Sequence, residues 1–216
     1  MLDLIIKNGS CYIDRELKDQ EIGIKDNKIV EIGKIKTGSK DYFDAKGLTV
    51  LPGCIDTQVH FREPGLTDAE DLNSGSRAAI VGGITSVFEM PNTNPPTSNK
   101  IEFSKKLKLA ENRMYCNYAF YFGATSKNQN ELADLKDLVG CCGIKLFAGS
   151  STGNLLVQHE EDIEKVFQSS SKIVSVHSED EEILNIRKKL IKEGDVKTHP
   201  LWRNAECAIS STRRIV

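Results

Sequence analysis

Residues 50–65 read VLPGCIDTQVHFREPG, an apolar run that ends in polar residues spaced two apart. Asp56, Gln58 and His60 fall on alternate positions, and on an extended strand alternate side chains project from one face. If the strand continues, Arg62 joins the same row. The stretch therefore predicts a strand that carries a candidate metal ligand and an anion-binding cation at its carboxyl end.

The composition indicates a soluble globular protein. Of 216 residues, 39% are hydrophobic and 28% are charged, and the net charge is -2. Lys and Arg are spread along the chain, so no nucleic-acid partner is predicted. No stretch has the length of a transmembrane helix, and the N-terminus is unlike a signal peptide. The 6 cysteines lie in apolar segments without CxxC spacing, which predicts buried, reduced thiols and a cytoplasmic location.

The pattern of elements changes near residue 48. Residues 1–48 read as short strands with tight turns, among them Asn8-Gly9 and Asp26-Asn27, and predict a small β subdomain. Beyond them, strands alternate with helical patterns, which indicates parallel βα units. Strands are predicted at 48–56, 84–90, 117–123, 143–148 (followed by a loop at 149–153) and 172–178. Helices are predicted at 68–81, from Asn99 onward with Glu102 as the capping-box partner, and around 132–139, 160–168, 183–191 and 201–216. The fold class is therefore α/β with about five βα units, and polar residues collect at the strand ends, where (β/α)8 barrels place their active sites.

Lys145 stands between Ile144 and Leu146 in the fourth predicted strand. Desolvation there would lower the pKa of its amine and make the neutral form accessible. A neutral amine can add carbon dioxide to give a carbamate, an anionic oxygen ligand able to bridge two metals. A buried stem whose amine extends to solvent at the strand end is the competing interpretation.

Four segments resemble the cyclic amidohydrolases in order and spacing: DTQVHFREPG at 56–65, MPNTNP at 90–95, GIKLF at 143–147 and VHSED at 176–180. The Asn8-Gly9 start and HPLWRNAE at 199–206 extend the similarity over the whole chain. It is most similar to dihydroorotases of the multi-family, allantoinase-related type. The resemblance implies a metal-dependent hydrolase (β/α)8 TIM barrel with a β-sandwich. Residues 1–48 would be part of the sandwich, and 49–216 the N-terminal part of an incomplete barrel.

The resemblance also implies roles for individual residues. His60, Lys145 and His177 match zinc ligands, with Lys145 carboxylated and bridging, and one or two zinc ions are expected. Gln58 stands where the family has a further zinc-binding His. An amide oxygen is the weaker ligand, so we expect the exposed metal position to bind loosely or to stay empty, which would leave a single zinc on the Lys145 and His177 side. Arg62 and Asn92 match the pair that holds the substrate carboxylate, which suits a guanidinium fork.

The resemblance further implies three strands beyond the fifth, which carry a fourth metal His and the Asp that shuttles the proton. That Asp would lie beyond Val216, so no catalytic residue is expected within this chain. A (β/α)8 barrel usually takes about 250 residues, and five parallel strands would leave an open edge. We therefore expect the front portion of a longer protein or a truncated product, marginally stable and inactive alone.

Three functions remain open at this point. The first is a dihydroorotase that reversibly cyclises N-carbamoyl-L-aspartate to dihydroorotate in pyrimidine biosynthesis; Arg62 with Asn92 favours it, because these residues suit a carboxylate. The second is an allantoinase or hydantoinase. The third is a non-catalytic scaffold for aspartate carbamoyltransferase, which Gln58 favours and the retained Lys145 and His177 disfavour. The expected partners are a small-molecule substrate and either a second copy of the chain or aspartate carbamoyltransferase, with no nucleic acid or membrane.

Overall fold

The computed structural model describes residues 1–149 and 154–216, which form two compact units, Met1–Gly53 and Cys54–Val216. The first unit consists of strands β1 (Leu2–Lys7), β2 (Ser10–Ile13), β3 (Glu16–Asp19), β4 (Glu21–Lys25), β5 (Lys28–Gly33), β6 (Ser39–Asp44) and β7 (Thr49–Val50). They form two sheets, of order β5-β4-β1-β6 and β3-β2-β7. The predicted small N-terminal β region is therefore present.

The turn between β4 and β5 follows from its two residues. Asp26 and Asn27 have φ angles of 50° and 60°, a left-handed conformation that Asp and Asn adopt more readily than other non-glycine residues. Such a turn matches the twist of an antiparallel hairpin, and β4 and β5 pair in that way. The predicted hairpin is confirmed.

The second unit alternates strands and helices, as predicted. Its strands are β8 (Cys54–Val59), β9 (Ile84–Glu89), β10 (Asn117–Gly123), β11 (Cys141–Phe147) and β12 (Val174–His177). Its helices are α1 (Leu72–Val81), α2 (Lys100–Ala110), α3 (Gln129–Ala133), α4 (Glu160–Ser169), α5 (Glu181–Arg187), α6 (His199–Trp202) and α7 (Ala205–Ile215), with short 3-10 turns at Lys188–Leu190 and Val196–Thr198. The predicted loop at 149–153 lies, after Gly149, outside the described residues.

The five strands form one parallel sheet of order β12-β11-β10-β9-β8. Each strand pairs with the one before it in sequence, which is the predicted succession of βα units. Buried strand residues such as Phe120, Phe122 and Leu146 share one core with helix residues such as Leu72 and Phe103. Full burial of each such side chain contributes roughly 1.5–3 kcal/mol.

The first predicted strand, 48–56, is divided in the structure. Thr49–Val50 pairs with β2 in the small β unit, and Cys54 begins the parallel sheet. Pro52, which has no N–H group to donate to a ladder, lies between the two strands. The boundary between the compact units therefore falls at Gly53, five residues after the predicted one.

Caps account for two of the differences between predicted and observed helices, whereas the helix predicted around 132–139 is the short α3, which ends at Ala133. The α1 helix starts at Leu72 rather than 68, because the Asp71 side chain accepts from the Ser74 N–H at 2.7 Å. Asn99 caps α2 as predicted, accepting from the Glu102 N–H at 2.8 Å, whereas the Glu102 carboxylate pairs with Lys105 instead of returning to the cap. The predicted last helix is two helices, since Asn204 caps α7 anew after Trp202.

Two further expectations can be compared with the described residues. No helix among them is long and apolar enough to cross a membrane. All six cysteines are free thiols; Cys11, Cys116, Cys141 and Cys207 are buried, Cys142 is half-buried and Cys54 is exposed. The expectation of uniform burial is thus wrong at Cys54, which lies on the last strand of the sheet order.

Candidate active site

The carboxyl ends of the five strands place the predicted residues at one edge of the sheet. His60 follows β8, Asn92 follows β9, Lys145 lies near the end of β11, and His177 is the last residue of β12. Because the strands are parallel, these ends lie at the same edge of the sheet, where α/β barrels carry their active sites; β8 and β9 are neighbours there, and so are β11 and β12. The topology therefore brings distant segments of sequence to one place.

The end of β8 departs from the predicted alternation. The pairing of β8 with β9 shifts register between Asp56 and Val59, and the Asp56 carboxylate accepts from the Gln58 N–H at 2.9 Å. The strand ends at Val59, and Arg62 has a φ angle of 61°. The single row of four polar side chains is therefore not formed, because both the bulge and the left-handed residue rotate the chain.

The imidazole of His60 is oriented by Asn92. His60 Nδ1 lies 2.8 Å from Asn92 Oδ1, and since that oxygen only accepts, Nδ1 must carry the proton. The Nε2 lone pair is then free of described hydrogen-bond partners. Burial, and then the charge of Arg62, lower the pKa of His60, which favours the neutral ring that metal binding requires.

Lys145 is 2% exposed, so its amine does not extend to solvent. Burial lowers the pKa of this amine to about 8. No described side chain forms an ion pair with Lys145, whose Nζ lies over the Phe147 ring, 5.1 Å from the centroid. The interpretation in which the amine reaches water at the strand end is therefore wrong. The structure favours a desolvated, reactive amine.

His177 lies next to Lys145 on the same face of the sheet. Phe147 and His177 are register partners of β11 and β12, and their rings stack with centroids 6.1 Å apart. Register partners project from the same face, and Lys145 lies two residues before Phe147 in β11. The charge of Lys145 also contributes to lowering the pKa of His60. Lys145 therefore lies beside His177 and close enough to His60 for its charge to affect that imidazole.

A carboxylate and a guanidinium lie beside Nε2 of His177. Glu179 Oε2 lies 2.5 Å from His177 Nε2. Arg203 donates from Nε to Glu179 Oε1 at 2.9 Å and from Nη2 to Oε2. The hydrogen bond from Arg203 holds the pKa of Glu179 below its usual range, so the group is a carboxylate. Sequence reasoning noted the segments that contain both residues but assigned neither a role.

The predicted substrate-binding pair lies beside His60. No described residue forms an ion pair with the Arg62 guanidinium, which is half-buried. Asn92 is 9% exposed; its Oδ1 accepts from His60, and its Nδ2 has no described acceptor. Both residues therefore keep N–H donors available for an anion.

Gln58 is a predicted site residue whose side chain contacts none of the other candidate ligands through a hydrogen bond. Its side chain is exposed and makes no hydrogen bond to any described residue. Within 1–149 and 154–216, no three His, Cys, Asp or Glu side chains converge as a metal site by themselves.

The segment after His60 is fixed on both sides. Phe61 is buried and packs so closely on α1 that a Cβ on Gly75 would lie 2.7 Å from the Phe61 Cε1 atom. Glu63 accepts from Arg113 Nη1 and Nη2 at 2.7 and 3.0 Å, and from the Leu72 N–H at 3.0 Å. These contacts hold the backbone that carries His60 and Arg62.

A buried ion pair supports the neighbouring turn, and sequence reasoning missed it. Lys106 of α2 pairs with Glu89 at the end of β9, and both side chains are at most 1% exposed. Lys106 Nζ also donates to the Met90 carbonyl at 3.1 Å. Since Asn92 follows two residues later, the pair anchors the turn that orients His60. Lys106 lies among Lys105 and Lys108, so nothing in the local sequence distinguishes it.

The groups at this edge fit zinc. His60 Nε2 and His177 Nδ1 lack hydrogen-bond partners among the described residues, because Asn92 and Glu179 bind the opposite nitrogens. The buried Lys145 amine can supply an oxygen ligand as a carbamate. Zinc accepts imidazole nitrogen and carboxylate-like oxygen, and a partner on the second ring nitrogen is usual for metal-binding histidines.

The sheet and its edge define the class of protein: parallel α/β, with the candidate site at the carboxyl ends of the strands, as in α/β barrels. A profile of the amidohydrolase family matches residues 49–211. The chain therefore belongs to the amidohydrolase family, which confirms the resemblance inferred from its motifs.

Three comparisons show the range of similar proteins. A dihydroorotase from Methanosarcina mazei is 37% identical over 99% of this chain and 48% of its own length. An allantoinase from Escherichia coli is 34% identical over 91% of this chain and 46% of its own length. The structure of an L-hydantoinase (dihydropyrimidinase) from Arthrobacter aurescens superposes with a TM-score of 0.90, at 26% identity, over 99% of this chain and 49% of that one. The chain thus spans about half the length of the relatives it matches.

Proposed function

We propose that the chain is the N-terminal part of a zinc-dependent cyclic amidohydrolase of the dihydroorotase type. The observation that carries this proposal is the placement of His60, His177 and the buried Lys145 at the same carboxyl edge of the sheet, where Lys145 has no ion-pair partner among the described residues and its charge acts on His60. Family membership and the similarity to dihydroorotases support it.

His60 would bind zinc through Nε2 and His177 through Nδ1, while carboxylated Lys145 would supply an anionic oxygen ligand to the one or two ions expected. Forming the carbamate joins the Lys145 nitrogen to the carbon of carbon dioxide and releases one proton from the nitrogen. When bound, zinc supplies Lewis acidity toward a ring carbonyl and lowers the pKa of water. Asn92 holds the His60 imidazole in the tautomer that this binding requires.

Arg62 supports a substrate that carries a carboxylate. Its guanidinium has no described ion-pair partner, and the free Nδ2 of Asn92 lies on the neighbouring turn. A planar guanidinium binds a carboxylate with two parallel hydrogen bonds. Dihydroorotate and N-carbamoyl-L-aspartate carry such a group, whereas allantoin and unsubstituted hydantoin do not. We therefore propose a role in pyrimidine biosynthesis.

Metal analysis after dialysis against zinc and bicarbonate tests the ligand set. We expect one or two zinc ions per chain, with binding lost in Lys145→Met and retained in His159→Gln, a surface histidine outside the site. Isotope-labelled bicarbonate should give a carbamate NMR signal that Lys145→Met abolishes. A chain that binds no stoichiometric zinc would contradict the proposal and favour the non-catalytic scaffold.

Ligand titration tests the substrate class. We expect N-carbamoyl-L-aspartate and dihydroorotate to bind more tightly than allantoin or hydantoin, and Arg62→Met to remove that preference. Binding of allantoin should be unaffected by the substitution, which serves as the internal control. Tighter binding of allantoin or hydantoin would instead support the second candidate, which the allantoinase and hydantoinase similarities favour. Turnover by the chain alone would contradict its expected inactivity.

A further inference from the structure

Arg203 binds the Glu179 carboxylate, and this carboxylate contacts His177 but neither of the other two candidate ligands, His60 and Lys145. The two residues are 24 positions apart in sequence; Glu179 lies between β12 and α5, and Arg203 lies between α6 and α7. Arg203 binds both carboxylate oxygens through Nε and Nη2, which is the bidentate geometry that fixes a carboxylate in orientation as well as position. The carboxylate then meets the imidazole at 2.5 Å.

The backbone on either side of Glu179 is also held in place. A Cβ on Gly149 would lie 2.9 Å from the Glu179 carbonyl carbon, so the two backbones are in close contact. The following residue, Asp180, caps α5 by accepting from the Glu182 and Ile183 N–H groups at 3.1 and 3.2 Å. Asp180 also donates its own N–H to the Cys207 carbonyl at 2.9 Å. Glu179 therefore has little freedom to move away from His177.

Both Arg203 and Glu179 approach His177 Nε2, and the two distances indicate which of them forms the hydrogen bond. Arg203 Nη2 lies 3.4 Å from Nε2 and could only donate to it, whereas Glu179 Oε2 at 2.5 Å can only accept from it. The carboxylate contact is the shorter and has an ionised acceptor, so Nε2 carries the proton. The Arg203 guanidinium lies near the ring because it binds the Glu179 carboxylate, which contacts His177.

We propose that Glu179, held by Arg203, is a positioning residue that keeps His177 in the Nε2–H tautomer and turns its Nδ1 lone pair toward the candidate metal. The role toward zinc rests on the proposed function, whereas the tautomer is a property of the chain itself. Carboxylate partners of this kind orient a metal-binding imidazole and raise its basicity. Removing one typically costs 10–100-fold in metal affinity.

The experiment compares wild type with Glu179→Gln and with Glu182→Gln, an exposed control three residues away. Glutamine has the same shape, but it can donate to an unprotonated Nε2 as well as accept from Nε2–H, so it should not select a tautomer. Imidazole nitrogen NMR shifts of the metal-free chain, at a pH where the ring is neutral, report the tautomer of His177. Zinc affinity is measured in parallel, and circular dichroism verifies the fold.

We expect His177 to be in the Nε2–H tautomer in wild type and in Glu182→Gln, and in a mixture in Glu179→Gln. Zinc should bind about 10–100-fold more weakly to Glu179→Gln than to wild type or Glu182→Gln. Arg203→Met, which leaves the carboxylate but removes its bidentate partner, should shift the tautomer in the same direction to a smaller extent. This variant also serves if Glu179→Gln does not fold.

An Nδ1–H tautomer in wild type would overturn the proposal, and so would an unchanged tautomer in Glu179→Gln. If the His177 tautomer changes as expected in Glu179→Gln but the wild-type chain binds no zinc, the positioning role of Glu179 is supported and the proposed zinc function is overturned. The two failures are therefore distinguishable.

Discussion

Replacing Lys106 by Met should destabilise the chain much more at alkaline than at acidic pH. Lys106 and Glu89 form an ion pair between α2 and the end of β9, with both side chains almost fully buried. Among the groups that favour the Glu89 carboxylate, Lys106 has the largest effect, ahead of the Phe61 N–H and the charge of Arg62. The Lys106 ammonium is therefore the main compensation for the Glu89 charge, and Met of similar length removes it without removing the packing.

The magnitude follows from the carboxyl group that is left behind. Burial raises the pKa of Glu89 from 4.5 to about 7 even with Lys106 beside it. Between those values the folded chain binds more protons than the unfolded chain, so the contribution of Glu89 to stability falls as the pH rises through this range. Without Lys106 the carboxyl pKa rises further. At about pH 8, folding must then protonate the carboxyl or bury its charge unpaired, at a cost of about 3–5 kcal/mol.

At about pH 5 the carboxyl is already protonated in the folded variant. The remaining loss is the hydrogen bond from Lys106 Nζ to the Met90 carbonyl, 3.1 Å long, which is worth about 1 kcal/mol. The assay is urea unfolding at both pH values, followed by the fluorescence of the single tryptophan, Trp202. Lys105→Met is the matched control, because Lys105 is 64% exposed on the same helix and its ion pair with Glu102 should contribute less than about 1 kcal/mol.

Equal losses at the two pH values would refute the reasoning, because they would show that the Glu89 charge is compensated without Lys106. A Lys106→Met loss no larger than that of Lys105→Met would refute it as well. In the double variant Glu89→Gln/Lys106→Met, the pH dependence of the loss should disappear.

Two further predictions concern the segment around His60. Gly75→Ala should cost about 1–3 kcal/mol in urea unfolding, because its Cβ would overlap the buried Phe61 ring; an unchanged stability would show that the ring can move at no cost. Asn92→Ala should reduce zinc affinity about 10-fold or more while leaving the fold intact, since His60 Nδ1 loses its acceptor; unchanged affinity in a zinc titration would mean that another group orients the ring.

The sequence by itself determined the order of strands and helices and the residues that carry the candidate chemistry. Hydrophobic periodicity and turn residues act over a few positions, so the hairpin at Asp26-Asn27 and the helix cap at Asn99 could be predicted locally. The motifs around His60, Lys145 and His177 indicated the family, which the comparison confirmed. Local patterns could not predict the division at Pro52, because strand propensity does not specify which sheet a segment joins.

Only the tertiary structure decided how the candidate residues are used. Lys145 is buried rather than extended to solvent, Lys106 is paired inside the core rather than exposed, and Arg203 reaches Glu179 across 24 positions. Each of these outcomes depends on which distant segments meet, and desolvation and hydrogen bonding are set by those neighbours. The ring nitrogen that each histidine leaves free is therefore a property of the fold, although the histidines themselves were evident in the sequence.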